Sequence, residues 1–456
     1  MKKNILILSL ALLLSAFSFA QCTPCFNPAV NFTVGANPYA VVSADFNLDG
    51  NADLAVANWT SSTVSILLGN GLGNFVTSAG YSVGTNPRSL VTADFNNDGK
   101  PDLASASDGS NNVSILIGSG TGTFAAAVNY AVAPAPEALV TGDFNNDGKK
   151  DLATANYGSS NVSVLLGTGT GTFAPMTNFT TGVASFPSGL CSGDFNGDSF
   201  HDLAAVSYST NDVSILLGTG SGSFGAPTLF TAGTGSYSIC SADFNGDTKI
   251  DLATPNANSG NVSVLLGTGT GSFGAATTFG AGAFAYFIST ADFNLDGKAD
   301  LAVANYSGNN VSVLMGMGTG SFCTAMNFNT ANAPTCVCAA DFNNDGKPDL
   351  AVTNNNSGNV SVLLNCTLVG TEDLSDEQTV NIYPNPTKGI FTINIEDLKW
   401  QMGDVEIYNV LGEKVFNQQI NNSSNLQIDV SGLQAGAYFV QLNVNGKITT
   451  QKLFIE

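Results

Sequence analysis

Along most of the chain, apolar residues come in short runs, and each run is cut off by glycine, asparagine or aspartate. Three runs form a recurring set, plain in "EALVTGDF" (137–144), "DLATAN" (151–156) and "NVSVLLG" (161–167), with a fourth, looser run at 174–180. Runs this short, rich in Val, Ile, Leu and Ala and bounded by turn residues, predict β-strands rather than helices. The glycine-bearing stretches between them, such as "TGTGTF" at 168–173, predict the tight turns of an antiparallel meander. Helical periodicity is missing from most of the chain.

The set repeats. Between its first two runs lies an acidic loop that starts at Asp45, Asp94, Asp143, Asp194, Asp243, Asp292 and Asp341, in steps of 49, 49, 51, 49, 49 and 49 residues. Four strands at a period near 50 predict propeller blades rather than a helical solenoid. The fourth-run motif starts at Phe26, Phe75, Phe124, Phe173, Phe224, Phe273 and Phe322, so its first copy precedes the first acidic loop. No copy follows the last third run at Leu364. The expected fold is therefore all-β: a seven-bladed β-propeller over 21–366, closed by the N-terminal strand "FNPAVNFTVG" so that no sheet edge is left open at the seam.

Within every acidic loop, positions 1, 3, 5 and 9 are Asp, Asn, Asp and Asp. In chain order these are Asp45, Asn47, Asp49 and Asp53; Asp94, Asn96, Asp98 and Asp102; Asp143, Asn145, Asp147 and Asp151; and Asp194, Asn196, Asp198 and Asp202. The remaining three are Asp243, Asn245, Asp247 and Asp251; Asp292, Asn294, Asp296 and Asp300; and Asp341, Asn343, Asp345 and Asp349. Position 7 adds a backbone carbonyl, at Asn51, Lys100, Lys149, Phe200, Lys249, Lys298 and Lys347. Alternating oxygen ligands without Cys or His suit a hard cation, Ca²⁺ rather than zinc, in up to seven sites. Three carboxylates within nine residues would otherwise repel one another. The alternative is an array of Asx turns that holds no metal.

"DFNxDGxxDLA" followed by "VSVLLGxGxGxF" resembles the FG-GAP/VCBS repeats of integrin-α-like propellers over about residues 26–365. The resemblance implies seven blades with calcium in the loops between first and second strands. The fourth and fifth repeats depart from it, with Gly197 and Gly246 at position 4 and Ser199 and Thr248 at position 6, where glycine is usual. Their ligands are intact, so the departure bears on affinity more than on binding.

Composition changes the picture mainly through charge. The 456-residue chain carries a net charge of −21, which argues against nucleic acid as a partner. The seven loops hold 21 of the 35 acidic residues, and only Asp108, Glu137 and Asp212 lie outside them between 21 and 366. Seven Ca²⁺ would take that region from −17 to about −3. Lys2 and Lys3, an apolar run over 5–14 and Ser18-Phe19-Ala20 read as a signal peptide over 1–20, since the run is short for a ~20-residue membrane span.

After Cys366 a polar, acidic linker (367–378) leads to "GIFTINI", "DVEIYNV" and a pair of strands expected to turn at Asn445-Gly446, a small Ig-like β-sandwich over 379–456. "NIYPNPTKGIFTINI", "VEIYNVLGEKVF" and "GLQAGAYFVQL" resemble the type A C-terminal sorting domain of the type IX (Por) secretion system. That resemblance implies the type IX machinery as a partner and translocation across the outer membrane. It also implies removal of the domain, with release or attachment to surface lipopolysaccharide, and so a secreted or outer-surface protein.

Catalytic signals are poor. The single histidine, His201, lies inside the fourth acidic loop, which leaves no Ser-His, Cys-His or histidine-metal constellation. Asp108 and Glu137 are two isolated acids on different loops, weak evidence for a glycosidase pair. Of the eight cysteines, Cys191, Cys240 and Cys338 share one position and read as small buried residues. Superposing the split repeat on an ordinary one sets Cys366 and Cys25 on the two sides of one hairpin mouth. A disulfide from Cys366 to Cys25, or to Cys22, would clasp the ring; the alternative is a local Cys22–Cys25 bridge.

A ligand site is expected on the face opposite the acidic loops, where the repeats diverge. Six residues before each loop the ring reads Tyr39, Arg88, Glu137, Ser188, Tyr237, Tyr286 and Thr335, and neighbouring loops add Trp59, Tyr157, Tyr208, Tyr306 and Phe186. Aromatics with a few polar groups suit a sugar or protein surface, while neutral drift of exposed loops is the alternative. The expected function is a monomeric, calcium-stabilised binding or adhesion module for a glycan or protein and not an enzyme. The competing expectation is a polysaccharide lyase or hydrolase on the same scaffold.

Overall fold

Short runs become strands, buried on both faces in the second strand of each set and increasingly exposed towards the fourth. The computed structural model describes residues 22–366, 380–395, 402–409, 413–421, 425–444 and 447–456, so the expected signal peptide (1–20), the linker (367–378) and the Asn445-Gly446 turn lie outside them. Two units divide the chain, Met1–Leu368 and Val369–Glu456. Every regular element among the described residues is a strand.

The first unit contains seven four-stranded antiparallel sheets. In the third repeat the strands are Pro136–Gly142, Asp151–Asn156, Asn161–Leu165 and Thr177–Thr180. The fourth strand begins later than the apolar pattern suggests, after a lone bridge between Gly167 and Phe173, and the second, fourth, fifth and sixth repeats do the same. Second strands such as Asp53–Asn58 and Asp151–Asn156 are buried along their whole length, packed between neighbouring sheets. That burial explains why they read as unbroken runs of small apolar residues rather than as alternations.

First strands pack side by side around the unit, and Pro38–Ala44 of the first repeat packs against Pro334–Ala340 of the last, completing a ring. Two phenylalanines per repeat join the sheets. The one at loop position 2 meets, edge to face, the hairpin phenylalanine of the next sheet, as in Phe46–Phe124 at 5.5 Å, Phe95–Phe173 at 5.6 Å and Phe144–Phe224 at 5.8 Å. The carbonyl of the same loop phenylalanine accepts a hydrogen bond from a hairpin glycine of that next sheet: Gly122 to Phe46, Gly171 to Phe95 and, across the ring, Gly73 to Phe342. The hairpin glycines need their freedom, for Gly122 and Gly171 have φ of 75° and 76°.

The seventh sheet is assembled from both ends of the unit. Val30–Thr33 pairs antiparallel with Asn359–Leu363, and a bridge links Phe26 to Asn365. Here no glycine hairpin exists, and the Asn365 side-chain amide donates to the Phe293 carbonyl at 2.7 Å in its place. Cys25 and Cys366 are disulfide-bonded with Cα atoms 5.0 Å apart, and the Cys366 N–H donates to the Cys25 carbonyl at 2.9 Å. The local Cys22–Cys25 alternative is not formed: Cys22 bonds instead to Cys323. Cys323 follows the sixth hairpin's Phe322, a position that holds Val76, Ala125, Ala174, Gly225 and Gly274 in other repeats. Nothing in its local sequence points to the chain's other end.

In the second unit Val380–Tyr383, Ile390–Ile395 and Asn425–Asp429 form a three-stranded sheet. Lys414–Asn421, Met402–Asn409, Gly436–Val444 and Lys447–Ile455 form a four-stranded one. Phe391, Ile393 and Ile428 from the first meet Val405, Ile407, Val440 and Leu453 from the second in one core.

Acidic-loop positions 4 and 6 sit in the left-handed region throughout, for example Leu48 at φ 59° and Gly50 at φ 86°. In the fifth repeat position 6 is Thr248 at φ 68°, a conformation that costs a β-branched residue about 1–2 kcal/mol. Thr248→Gly is therefore expected to stabilise the protein by about 1 kcal/mol, less the extra chain entropy glycine loses on folding. Thermal unfolding of the variant measures this; a fall in melting temperature would show that the Thr248 side chain contributes more than its backbone strain costs.

Candidate functional site: acidic loops and channel mouth

Each acidic loop is first a set of backbone caps. Asp45 accepts from the N–H groups of Asp49 and Gly50 at 3.0 and 2.8 Å, Asn47 from Asp49 at 3.0 Å, and Asp49 from Asn51 at 2.8 Å. Position 9 reaches inward. Asp53 is fully buried, with Oδ2 taking the Phe46 N–H at 2.9 Å and Oδ1 the Gly69 N–H at 2.7 Å. Asp102, Asp151, Asp202, Asp251, Asp300 and Asp349 repeat this pair of bonds, the last to Phe342 and Asn365. One carboxylate thus ties the loop to the start of the third-to-fourth-strand hairpin, which sets both on one face of the ring.

Burial pushes the position-9 carboxyls up, Asp53, Asp202 and Asp349 to about 6 and Asp300 to about 7, with the charges at positions 5 and 1 adding to the shift. In five loops the position-7 lysine pairs with the position-5 carboxylate, at 3.0 Å for Lys149–Asp147 and 3.7 Å for Lys347–Asp345. Asn51 and Phe200 leave the first and fourth loops without that cation. Among the described residues no three His, Cys, Asp or Glu side chains are gathered as a ready metal cage. The donor chemistry of each loop, oxygen throughout with two carboxylates near the surface and a third at its base, nevertheless fits a hard divalent cation. Ionised carboxylates that already accept N–H bonds keep further lone pairs for a metal.

The opposite end of the ring is built by β-bulges. In six first strands the register shifts at the residue six before the acidic loop: Tyr39, Arg88, Glu137, Ser188, Tyr286 and Thr335. A bulge leaves its residue out of the ladder and re-aims the side chain. In the fifth sheet the ladder starts late, at Cys240, and Tyr237 lies between a lone Ser236–Asn256 bridge and that start. The residue two before each of these positions has positive φ, including Asn37, Asn86, Ala135, Phe186, Gly235, Phe284 and Ala333. This turn brings the chain onto the mouth.

A cavity of about 500 Å³ opens there, lined by Tyr39, Arg88, Glu137, Tyr237 and Tyr286 together with Tyr157, Phe284, Tyr306, Thr335 and Asn355. A narrower space of about 240 Å³ continues between the first strands of all seven sheets. Ser188 lines only the inner space. Tyr208 and Phe186 act from behind, packing at a tilt on Tyr237 and Tyr157 with centroids 4.6 and 5.3 Å apart. Trp59 does not line the cavity; its indole nitrogen is buried and its backbone bonds Asn37 and Asn86. Phe284 and Asn355 do not stand out in the sequence. The positive-φ ring that holds Phe284 follows the same 49-residue spacing and could have revealed it.

Arg88 organises the polar side. Its Nε donates to Asp108 at 2.7 Å, and its Nη1 lies 3.3 Å from Glu137 and donates to the Tyr39 hydroxyl at 2.8 Å. The guanidinium also lies 4.8 Å over the Tyr39 ring, and the Tyr39 and Tyr286 hydroxyls are in contact. Asp108 and Glu137, isolated in the sequence, are thus joined through one arginine. Burial pushes Glu137 up to about 7 against the opposing pull of Arg88, while Asp108 adds to the rise. Burial works against the charge of Arg88, but Tyr39, Glu137 and Asp108 carry its pKa upward overall.

His201 contributes to neither end: its Nδ1 is buried without a hydrogen-bond partner and its ring meets Phe144 edge-on. Cys191, Cys240, Cys336 and Cys338 are free thiols, the first and third buried and the others half-buried.

FG-GAP-like repeat models match residues 45–105, 94–154, 143–205, 194–254, 249–303 and 292–352, and a secretion system C-terminal sorting domain matches 381–456. Ulvan lyase NLR42 of Nonlabens ulvanivorans is 34% identical over 79 residues, 17% of this chain and 14% of that protein, so the chain spans about a seventh of this curated relative. Among solved structures, BBS1N in its complex with ARL6DN aligns with a TM-score of 0.54 at 13% identity, covering 74% of this chain and 96% of that one. The periplasmic gluconolactonase PpgL of Pseudomonas aeruginosa aligns with a TM-score of 0.50 at 13% identity, covering 65% and 87%. At such identities the likeness is one of fold alone.

Proposed function

The chain belongs to the FG-GAP-like repeat proteins and is exported by type IX secretion to the cell surface or the medium, and from that premise we propose that it is a seven-bladed, calcium-stabilised β-propeller that binds a glycan or protein ligand. The observation that carries this reading is the mouth cavity, where the positions at which the repeats differ converge on an aromatic wall beside one arginine and two acids. The N-terminal strand closes the seventh blade, and the second unit is an Ig-like sandwich removed after export. Calcium would be held by loop positions 1, 3, 5 and 9 with the position-7 carbonyl, and would supply charge neutralisation among three carboxylates. The position-9 aspartates hold loop and hairpin together, and the bulges present the ligand-facing side chains. Adhesion at the surface or capture in the medium follows from this location.

A second reading, a polysaccharide-active enzyme, draws on the likeness to an ulvan lyase and on Glu137, whose pKa of about 7 suits a general acid or base beside Tyr39. A glycan array probed with the calcium-loaded mature protein tests binding. For any ligand it finds, Tyr237→Ala and Tyr286→Ala are expected to weaken affinity by about 1–3 kcal/mol in calorimetry while melting stays calcium-dependent. Ligand binding that survives both changes but fails on altering the acidic face would place the site at the wrong end of the ring. Release of new reducing or unsaturated ends from a polysaccharide would favour the enzyme.

A further inference from the structure

We propose that the channel mouth selects uncharged carbohydrate and turns away uronate-containing and sulfated chains. The proposal rests on the mouth being the ligand site, and it names the class of ligand.

Arg88 is the starting point. Between residues 22 and 366 the other basic side chains are six lysines, all inside the acidic loops on the far face. The mouth therefore has one cation, and that cation is already shared between Asp108 and Glu137. Asp212, at the start of its third strand, adds another acid among the loops of this face. A carboxylated or sulfated chain entering the mouth would meet more negative charge than positive, in a half-buried site where screening is weak. Like-charge contact of this kind is how a site rejects a competitor.

The same groups suit a neutral sugar. Arg88 bonds its neighbours through Nε and Nη1, and Glu137 meets it through Oε1, so Nη2 as donor and Oε2 as acceptor remain for sugar hydroxyls at the mouth. Beside them the tilted rings of Tyr237 and Tyr286 pack with centroids 4.5 Å apart, Tyr208 backs Tyr237 at 4.6 Å, and Phe284 and Tyr306 extend the wall. Such a wall offers rigid apolar area with hydroxyl tips, and it requires no charge on the ligand. The cavity of about 500 Å³ is of the size that encloses small ligands, so a chain end would enter rather than lie across it.

The test uses calorimetry on the calcium-loaded mature protein with two length-matched probe sets. One comprises neutral gluco-, manno- and galacto-oligosaccharides; the other comprises uronate and sulfated oligosaccharides. A neutral probe is expected to bind at least about tenfold more tightly than any anionic one at low salt, with the gap narrowing as salt is raised. Asp108→Asn with Glu137→Gln should also narrow the gap, because Arg88 then stands uncompensated. A neutral polysaccharide and a glycoprotein bearing neutral glycans, run in parallel, distinguish the two sources of such chemistry. Equal or tighter binding of the anionic set by the wild-type protein overturns the selectivity while leaving the mouth as the site. Binding of neither set overturns the carbohydrate reading of the mouth itself. Both of these measurements are made on the wild-type protein, so neither depends on the variant folding.

Discussion

Removing calcium from the mature protein is expected to lower its melting temperature by more than about 10 °C. A cation at a hundred times its Kd stabilises the folded state by about 2.7 kcal/mol per site, and there are seven loops of the same design. The loops are not independent ornaments, because each position-9 aspartate also bonds the hairpin that reaches the preceding sheet. Loosening one loop therefore loosens an inter-sheet contact. Scanning calorimetry with and without chelator measures the effect. A transition that does not move would mean that backbone caps and the position-7 lysines suffice, and would sink the calcium reading.

The pH response separates the two states further. Asp53, Asp202, Asp349 and Asp300 have folded-state pKa values raised by burial to about 6–7, above the ordinary carboxylate range. Folding then favours their protonated forms, so the metal-free protein gains stability as pH falls from about 7 towards 4. At the exposed position 5, the Asn51 N–H lowers Asp49 and Lys149 lowers Asp147; these shifts act in the opposite sense, but solvent screens them. With calcium bound, protons compete with the metal and stability should fall over the same range. Melting curves at pH 7.5 and pH 5, with and without chelator, check whether the sign reverses.

Cys25→Ser with Cys366→Ser is expected to cost about 6 kcal/mol at most, the chain-entropy figure for so long a loop. The bond spans 341 residues and lies where the two halves of the seventh sheet meet, so the cost should appear as earlier opening of that sheet. Cys22–Cys323 spans 301 residues and ties the same end to the sixth sheet, so removing both bonds should cost more than removing either. Hydrogen exchange at Val30–Thr33 and Asn359–Leu363, together with melting temperatures, measures the loss. Peptide mapping that finds Cys22 joined to Cys25 would overturn the clasp.

Much of the site was legible because the repeats act as internal controls. Positions that stay constant, such as the position-9 aspartates, have partners within their own repeat, and those partners repeat with them. The variable ring of Tyr39, Arg88, Glu137, Tyr237 and Tyr286 stood out against that constancy, and the bulges turn it into one cavity. Trp59 misled because its backbone bonds the turns that lead to the mouth while its indole nitrogen is buried away from the cavity. Phe284 lies two places before the ring position, in the positive-φ turn, where a large side chain set among Asn, Ala and Gly does not stand out.

The sequence by itself determined strand order, the repeat length, the acidic loops and the tail that directs export. These follow from local chemistry written many times over: turn residues at fixed offsets, apolar runs of strand length and a matched terminal domain. Only the tertiary structure decided the partners that occur once. Arg88 gathers Asp108 and Glu137 because adjacent first strands bring their bulges side by side, and Cys22 meets Cys323 because the ring returns the chain to its start. Contacts between residues far apart in the chain depend on how sheets pack around a ring. A periodic sequence encodes that packing only in the sum of its interfaces, not at any single position.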